Sequence, residues 1–463
     1  MASFHNFMRC RLCSNFQIRL AGGQMDYHPP NTLSPTNMTR RQFLWLSSMA
    51  AAGVAVGCAT NPVTGKKQLM LVSEDQEIQI DRQYSPYQLS ADYGIAQDQT
   101  LNSYIDRTGK RLSVGTHRPH VPYNFHVVNA TYVNAYAFPG GTIACTRGIL
   151  LSLDNEAELA ALLGHELGHV NARHTAEQMS KGMLTQTALG SLSVALTGSA
   201  DLGEVASGAL LASYSRANER EADGLGMEYM VKLGYSPQGM VGLMDMLNSM
   251  GKHKPNAIEL MFSTHPMSEE RYQTVVRSAD TTYKSAKLQP LYRERYMDNT
   301  AGLRAQKGAI EAIQKGDTAL GQKKYPAAEG HYRRALKVAP SDYTAMVMMS
   351  KTQLIQKKWV VGRQYAEMAQ KVYPREAQAY HLSGIAKIQL KDYEGALEEF
   401  NSYDRILSGN PNTLFFKGFA YEGMQKYREA AGQYQRYLKV VQAGDYARHA
   451  YKRIKEWQAK GLI

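Results

Sequence analysis

Apolar residues follow a helical pattern in the segment from Asn155 to Val170. Its leucines stand at positions 159, 162, 163 and 167, which are i, i+3, i+4 and i+8 of one helix face. Asn155 followed by Glu158 has the pattern of a capping box at a helix start. The segment is therefore predicted to form a largely buried helix.

The C-terminal third of the chain repeats with a period of 34 residues. Aromatic residues recur at this interval, and so do small residues at two further positions: Tyr325, Trp359, Tyr393 and Tyr427; Gly316, Ser350, Gly384 and Gly418; Ala328, Gly362, Ala396 and Ala430. Such a period, with small residues at helix crossings, is typical of tetratricopeptide repeats. We expect a repeat domain over residues 306–463, with four helix pairs in 309–444 and a capping helix from about Tyr446 to Lys460.

An uncharged run of 19 residues lies between Lys181 and Asp201. Ser, Thr and Gln interrupt the run, which favours a small-residue helical hairpin or lid over a cleft rather than a membrane span.

The N-terminal segment has the pattern of an export signal. Arg40 and Arg41 precede an uncharged, mostly apolar run from Phe43 to Gly57, and small residues then lead to Cys58. This order resembles a bacterial lipobox, so Cys58 is predicted to carry lipid and to be the first mature residue. The alternative is an ordinary cleaved signal with a chance cysteine. The arginine pair fits either a twin-arginine signal or an ordinary basic region.

Two further details concern this end of the chain. Residues 1–37 show no periodicity, which a true start at Met25 or Met38 explains best. Ala59 after the cysteine favours the outer membrane, by resemblance to bacterial sorting rules. The expected location is the periplasmic side of a bacterial cell envelope.

Composition and charge narrow the class of protein. The 463 residues are 44% hydrophobic and 20% charged, which indicates a folded globular chain of two or three domains. The net charge of +12 lies in residues 301–463, which hold 27 Lys and Arg against 15 Asp and Glu. This excess is either a solvated basic face or a surface for acidic peptides or anionic lipid headgroups. Nucleic acid is not an expected partner of an exported chain. Four unevenly placed cysteines predict no disulfide framework.

The buried helix carries a metal-binding pattern. His165 and His169 are four residues apart, so they share a helix face, and Glu166 lies beside them. A catalytic zinc ion needs a third protein ligand and one open position. His174 follows His169 by five residues without a glycine to permit a turn, so we interpret it as structural or solvent-facing.

A second helical stretch, from Tyr214 to Gly234, offers two carboxylates at helical spacing. Glu219 and Asp223 are four residues apart, so one can bind metal while the other orients a ligating histidine. The alternative is a solvated charged face.

Taken together, these motifs resemble the zinc metallopeptidase family that includes the heat-shock membrane protease and the type I CAAX prenyl protease. Two further stretches agree with it. The first is Val133 to Gly141 followed by Thr146 to Gly148, and the second is Ser263 to Pro266 followed by Arg271. The second stretch resembles the periplasmic, repeat-bearing branch. The resemblance covers about residues 65–285 and implies a mainly α protein, with an α+β zincin-type metallopeptidase domain over 58–290 ahead of the repeat solenoid.

The resemblance implies roles for individual residues. One zinc ion per chain would be held by His165, His169 and Glu219, with Glu166 as general base. Asp223 would orient a zinc histidine, and Arg216 would hold the Asp223 carboxylate. His265 would be a reversible fourth ligand that keeps the enzyme latent. The alternative for His265 is an ordinary loop histidine that is hydrogen-bonded to the backbone.

The strand Asn134, Ala135, Tyr136 is read as an exposed edge beside the helix, to which an extended peptide substrate could add. An ordinary interior strand is the alternative.

The expected function is a zinc endopeptidase that cleaves misfolded or stalled outer-membrane proteins. Its repeats would recruit substrate or an outer-membrane assembly machine, and its lipid would hold it on the membrane. The competing hypothesis is an assembly chaperone or scaffold dominated by the repeats, with a mostly latent protease site.

Overall fold

The computed structural model describes residues 58–188, 213–253 and 255–463. The proposed signal, residues 1–57, lies outside these residues, and so does the part of the predicted lid from residue 189 onward. None of the helices in the described ranges is long and apolar enough to cross a membrane.

Two small sheets lie in the N-terminal part. Strands β1 (Cys58–Thr60) and β2 (Lys67–Leu69) form an antiparallel hairpin. The second sheet has the order β3-β5-β4, with β3 (Asn124–Val128) parallel to β5 (Thr142–Thr146) and β4 (Ala135–Ala137) antiparallel to it.

Eleven helices of the described residues surround this sheet or lead away from it. In chain order they are α1 (Glu74–Ala91), α2 (Gln99–Val114), α3 (Arg147–Ser152), α4 (Glu156–Asn171), α5 (His174–Ala188), α6 (Arg216–Lys232), α7 (Gln238–His253), α8 (Pro255–Thr264), α9 (Glu269–Asp280), α10 (Arg293–Asn299) and α11 (Ala301–Ala305). Together with the small sheet they form a mixed α+β unit.

The centre of this unit is helix α4, every residue of which is buried. Asn155 caps it, because its side chain accepts a hydrogen bond from the Glu158 amide. Helix α6 approaches α4 closely: a Cβ added to Gly164 would lie only 2.9 Å from the backbone oxygen of Gly226. The glycines thus allow the two helices to pack at a distance that brings their polar side chains together.

The C-terminal part consists of helix pairs and a last helix. The pairs are α12 (Lys307–Gly321) with α13 (Tyr325–Val338), α14 (Tyr343–Ile355) with α15 (Trp359–Val372), α16 (Gln378–Gln389) with α17 (Tyr393–Ile406), and α18 (Pro411–Gly423) with α19 (Tyr427–Val440); α20 (Asp445–Ala459) follows them. The 34-residue aromatic positions each open the second helix of a pair. The mainly helical fold, with repeats after an α+β unit, is confirmed.

The two parts pack against each other through buried polar contacts. Arg147, at the start of α3, donates to Asp342 before α14 at 2.6 Å, and both side chains are buried. Thr344 donates to the backbone oxygen of Asn129 at 3.0 Å. Tyr93, in the loop after α1, packs among buried side chains of the first repeats. The first repeats therefore hold the loops that surround the small sheet.

Candidate metal centre

Four side chains from three parts of the chain meet beside helix α4. His165 and His169 come from α4, Glu219 from the first turn of α6, and His265 from the residue just after α8. The His265 amide donates to the carbonyl oxygen of Met261 at 2.7 Å, which fixes the backbone at this point. All four side chains are buried.

The distances within this cluster fit a tetrahedral metal site. The Nε2 atoms of His165 and His169 are 3.1 Å apart, and Nδ1 of His265 lies 3.1 Å from Oε1 of Glu219. The cross distances are 3.4 Å from His165 Nε2 to His265 Nδ1 and 3.4 Å from His169 Nε2 to Glu219 Oε1. Zinc bonds of 2.0–2.1 Å at tetrahedral angles would put ligand atoms about 3.3 Å apart. Imidazole and carboxylate ligands also match what zinc prefers, so the residues fit this ion.

Glu166 lies at the edge of the cluster with an unused acceptor. Its Oε1 is buried and has no hydrogen-bond partner among the described residues; His265 Nε2 is 4.0 Å away. A buried carboxylate oxygen without a partner is costly unless something else engages it. The position beside the four clustered side chains suits a group that accepts a proton from a bound molecule.

His165 is oriented by a carboxylate that is itself held by an arginine. Its Nδ1 lies 2.9 Å from Oδ1 of Asp223. Arg271 of α9 donates to both oxygens of Asp223 at 2.8 Å, and its Nη1 lies 2.6 Å from Oε2 of Glu219. The expectation that Arg216 holds Asp223 is wrong, because Arg216 is exposed at the start of α6.

His169 is oriented differently. Its Nδ1 lies 3.0 Å from Nδ1 of His174, and the ring of Tyr214 stacks on it with the centroids 3.9 Å apart. His174 is 1% exposed, so the solvent-facing interpretation of this residue is wrong and the structural one remains. Helix α4 ends at Asn171, and the left-handed Arg173 makes the turn for which no glycine is present.

The protein groups around the cluster shift one another's pKa values. Burial raises the pKa of Glu166 and lowers that of His169 well below its usual range. Burial also opposes the charge on Glu219, but the neighbouring histidines outweigh it and hold its pKa well below the usual range. For His265, burial lowers the pKa, while Glu219 and Glu166 raise it, and the net shift is upward. Glu219 therefore remains charged at neutral pH.

The strand predicted to bind substrate lies at the edge of its sheet but is not exposed. Asn134, Ala135 and Tyr136 are all buried. The Tyr136 hydroxyl donates to Asp92 Oδ2 at 2.6 Å, and its ring packs in a cluster with side chains of α1 and the loop after it. The expectation of an exposed edge is wrong because this loop covers the strand. Oδ1 of Asn134 is buried without a partner among the described residues.

Several residues contact the cluster in ways that the sequence did not predict. Arg271 stands in a recognised motif, but nothing in the spacing links it to Asp223, 48 residues earlier. His174 and Tyr214 lie next to the motifs, and only the turn after α4 and the chain path before α6 bring them to His169.

Comparisons with known proteins agree with this geometry. A family model described as peptidase family M48 matches residues 99–279, and a tetratricopeptide repeat model matches residues 313–370. The β-barrel assembly-enhancing protease of Yersinia pestis is 30% identical over 247 residues, which are 49% of this chain and 50% of that protein. Its counterpart in Escherichia coli K12 is 29% identical over 253 residues, 52% of this chain and 50% of that protein. The metalloprotease YcaL of Escherichia coli K12 is 33% identical over 199 residues, 40% of this chain and 76% of that protein. The chain thus spans about half the length of the first two relatives.

Proposed function

The chain belongs to peptidase family M48 and carries tetratricopeptide repeats after its peptidase domain, and from this premise we propose that it is a zinc-dependent endopeptidase of the bacterial cell envelope. The observation that carries the proposal is the buried cluster of His165, His169 and Glu219 beside Glu166, whose Oε1 has no hydrogen-bond partner within the described part of the chain. We assign the peptidase domain to residues 58–290 and the repeat domain to 306–463.

The three ligands of the catalytic state would be His165, His169 and Glu219. A bound zinc ion would acidify a water molecule and polarise the substrate carbonyl. Glu166 would accept the proton of that water and return it to the leaving amine. The upward pKa shift that burial gives Glu166 suits the first of these steps, because a more basic carboxylate takes the proton more readily at neutral pH.

Asp223 would act by holding the His165 ring. Its carboxylate accepts a hydrogen bond from the Nδ1–H of His165, which leaves the lone pair of Nε2 free to bind metal. Arg271 in turn fixes Asp223 and neutralises part of the negative charge that Glu219 and Asp223 bring into the buried site.

His265 would be a reversible fourth ligand. Its Nδ1 lies within 3.4 Å of both His165 Nε2 and Glu219 Oε1, so it occupies the corner that a catalytic site keeps open. We propose that this arrangement is the resting, latent state, and that substrate or a partner on the repeats moves the residue away.

Substrate would bind along β4, at Asn134, Ala135 and Tyr136. The buried Oδ1 of Asn134 has no partner in the ranges that the structure describes. This supports the proposal, since the oxygen could accept a hydrogen bond from a peptide N–H. Because the strand is covered, binding would require the loop after α1 to move.

The substrate class we propose is misfolded or stalled outer-membrane protein. Support comes from the relatives, two of which are named β-barrel assembly-enhancing proteases. The repeats would recruit these proteins or their assembly machinery, and a lipid on Cys58 would hold the enzyme at the outer membrane.

The test is metal-dependent cleavage of an unfolded β-barrel protein by the purified chain. Glu166→Gln should abolish the fragments with zinc content unchanged, because it removes the base and no ligand. Glu219→Ala should lower zinc content as well. Cleavage that persists in a chelator or in Glu166→Gln would refute the proposal.

A scaffold function has one observation in its favour, the presence of His265 in the ligand cluster. A scaffold whose site stays latent would support outer-membrane assembly equally well in cells that carry Glu166→Gln. Loss of support in that variant would exclude it.

A further inference from the structure

The Nδ1 atom of His169, the ring nitrogen that points away from the metal cluster, contacts His174, which in turn contacts Glu221. The family motifs give neither of these two residues a role. His169 Nε2 points into the metal cluster, whereas its Nδ1 lies 3.0 Å from Nδ1 of His174. Nε2 of His174 lies 3.4 Å from Oε2 of Glu221 in helix α6. The other oxygen of Glu221 accepts a hydrogen bond from Asn61 Nδ2 at 3.2 Å. The contacts thus run from His169 to the β1-β2 hairpin.

Only one placement of protons satisfies these contacts when His169 binds metal through Nε2. The Nδ1 of His169 must then carry the ring proton and donate a hydrogen bond. Nδ1 of His174 must accept, so the ring proton of His174 is on Nε2. That N–H points to the carboxylate of Glu221, which accepts.

A turn in the backbone after α4 brings His174 into contact with His169. Arg173 has φ +60°, the left-handed region that a residue other than glycine rarely adopts. Its side chain is anchored, because Nε donates to Glu77 at 3.0 Å and Nη2 donates to the Val72 oxygen at 2.8 Å. This turn ends α4 and lets a residue five positions after His169 contact its Nδ1 atom.

The use of an imidazole here avoids a further buried charge. His165 is already held by the carboxylate of Asp223. Glu219 adds a second carboxylate within the cluster, and Glu166 adds a third at its edge. Another carboxylate in direct contact with His169 would add an expensive buried charge. With His174 between them, the carboxylate that completes the contacts is Glu221. Its side chain is 25% exposed, so it loses less hydration than a carboxylate buried against His169 would.

We propose that His174 and Glu221 are positioning residues that fix the tautomer and the ring orientation of His169 for metal binding. The inference rests on the metal site of the proposed function. The ring of Tyr214 stacks on the His169 ring and so restricts tilting of that ring. The hydrogen bond to His174 controls the remaining motion, which is rotation of the His169 ring within its own plane. The two histidines of the motif are thus oriented by different means, His165 by a buried ion pair and His169 through a second imidazole.

The experiment measures zinc affinity by chelator competition in the full chain and in variants. His174→Leu removes the acceptor and should weaken zinc binding about 10- to 100-fold. His174→Asn can place an amide oxygen near the former Nδ1 and should recover most of that loss. Glu221→Gln should weaken binding less than His174→Leu, because it changes only the second contact. In the zinc-loaded wild type, NMR should show a hydrogen-bonded His169 Nδ1 proton that His174→Leu lacks.

His381→Leu is the matched control, because it also removes a buried histidine, but in the repeats. It should leave zinc affinity unchanged even where it lowers the melting temperature. Equal zinc affinity in wild type, His174→Leu and Glu221→Gln would overturn the inference while the proposed function stood. If His174→Leu does not fold, His174→Ala takes its place, because it also lacks the acceptor. A His174→Ala variant equal to wild type in both zinc affinity and the NMR signal would overturn the inference. A wild type that binds no zinc would overturn both.

Discussion

Arg271 and Asp223 form a bidentate ion pair that joins helix α9 to helix α6. Nε and Nη2 of the arginine donate to the two carboxylate oxygens, each at 2.8 Å, and both side chains are buried. Because Asp223 also contacts His165 Nδ1, the pair connects the packing of α9 to the orientation of a proposed metal ligand.

Loss of this arginine should impair both folding and metal binding. Arg271→Ala leaves Asp223 and Glu219 without their cation, and breaking a buried pair on one side costs about 3–5 kcal/mol. Arg271→Lys keeps the charge without the fork and should fall between Ala and wild type. Urea unfolding and zinc content measure the two effects. The matched control is Arg216→Ala, an exposed position, which should change neither quantity. A stable, fully metal-loaded Arg271→Ala would contradict the assignment.

Removal of the proposed fourth ligand should activate the enzyme. His265→Ala leaves His165, His169 and Glu219 in place, so zinc should stay bound while basal proteolysis or self-cleavage rises. A closed-state preference of 1–3 kcal/mol corresponds to roughly 5- to 150-fold in rate. The measurement is cleavage of an unfolded protein alongside metal analysis. An inactive variant that retains its zinc would mean that His265 assists the reaction, and latency through this residue would be wrong.

Helical spacing made part of this site accessible to sequence analysis. His165 with His169, and Glu219 with Asp223, are pairs four residues apart, so each pair had to share a face of its helix. The repeats were equally accessible, because small and aromatic residues recur at a fixed interval where helices cross. Both kinds of inference depend on regular backbone geometry within one element.

The remaining contacts depend on how separate elements pack. Arg271 reaches Asp223 only because α9 lies against α6, and an exposed Arg216 on the nearer element looked equally suitable. His174 reaches His169 through one left-handed residue, Arg173, which has no signature in the sequence. Tyr136 is buried by a loop more than 40 residues earlier, through Asp92. Tertiary packing determines each of these contacts, and the residue pattern within a single element cannot predict how two elements pack.

The predicted lipid anchor has a direct test. Cys58→Ser removes the thiol that would carry the lipid, so the protein should move from the membrane to the soluble envelope fraction or remain unprocessed. Fractionation and intact mass of the mature chain follow both outcomes. Ala59→Ser, next to it, is the matched control and should leave membrane attachment intact. A correctly processed Cys58→Ser protein that stays on the membrane in high salt would refute the anchor.

Asp317 of α12 should make the stability of the fold sensitive to pH. Burial raises the pKa of its carboxyl from 3.8 to about 6, although the Tyr332 hydroxyl donates to it at 2.8 Å. The folded state then holds a proton that the unfolded state has released, so this stabilisation is complete below pH 3.8 and is lost as the pH rises through about 6.

Asp317→Asn keeps an acceptor for Tyr332 and cannot ionise. The free energy of unfolding of the wild type, relative to this variant, should therefore fall by on the order of 2–3 kcal/mol between about pH 4 and pH 7. Urea unfolding followed by the fluorescence of Trp359 and Trp457, which lie in the repeat region, measures it. Asp298→Asn, at an exposed position, controls for loss of a carboxylate. Parallel pH profiles for wild type and Asp317→Asn would show that the burial of Asp317 has no such effect, because only an ionisable group at this position can produce the difference.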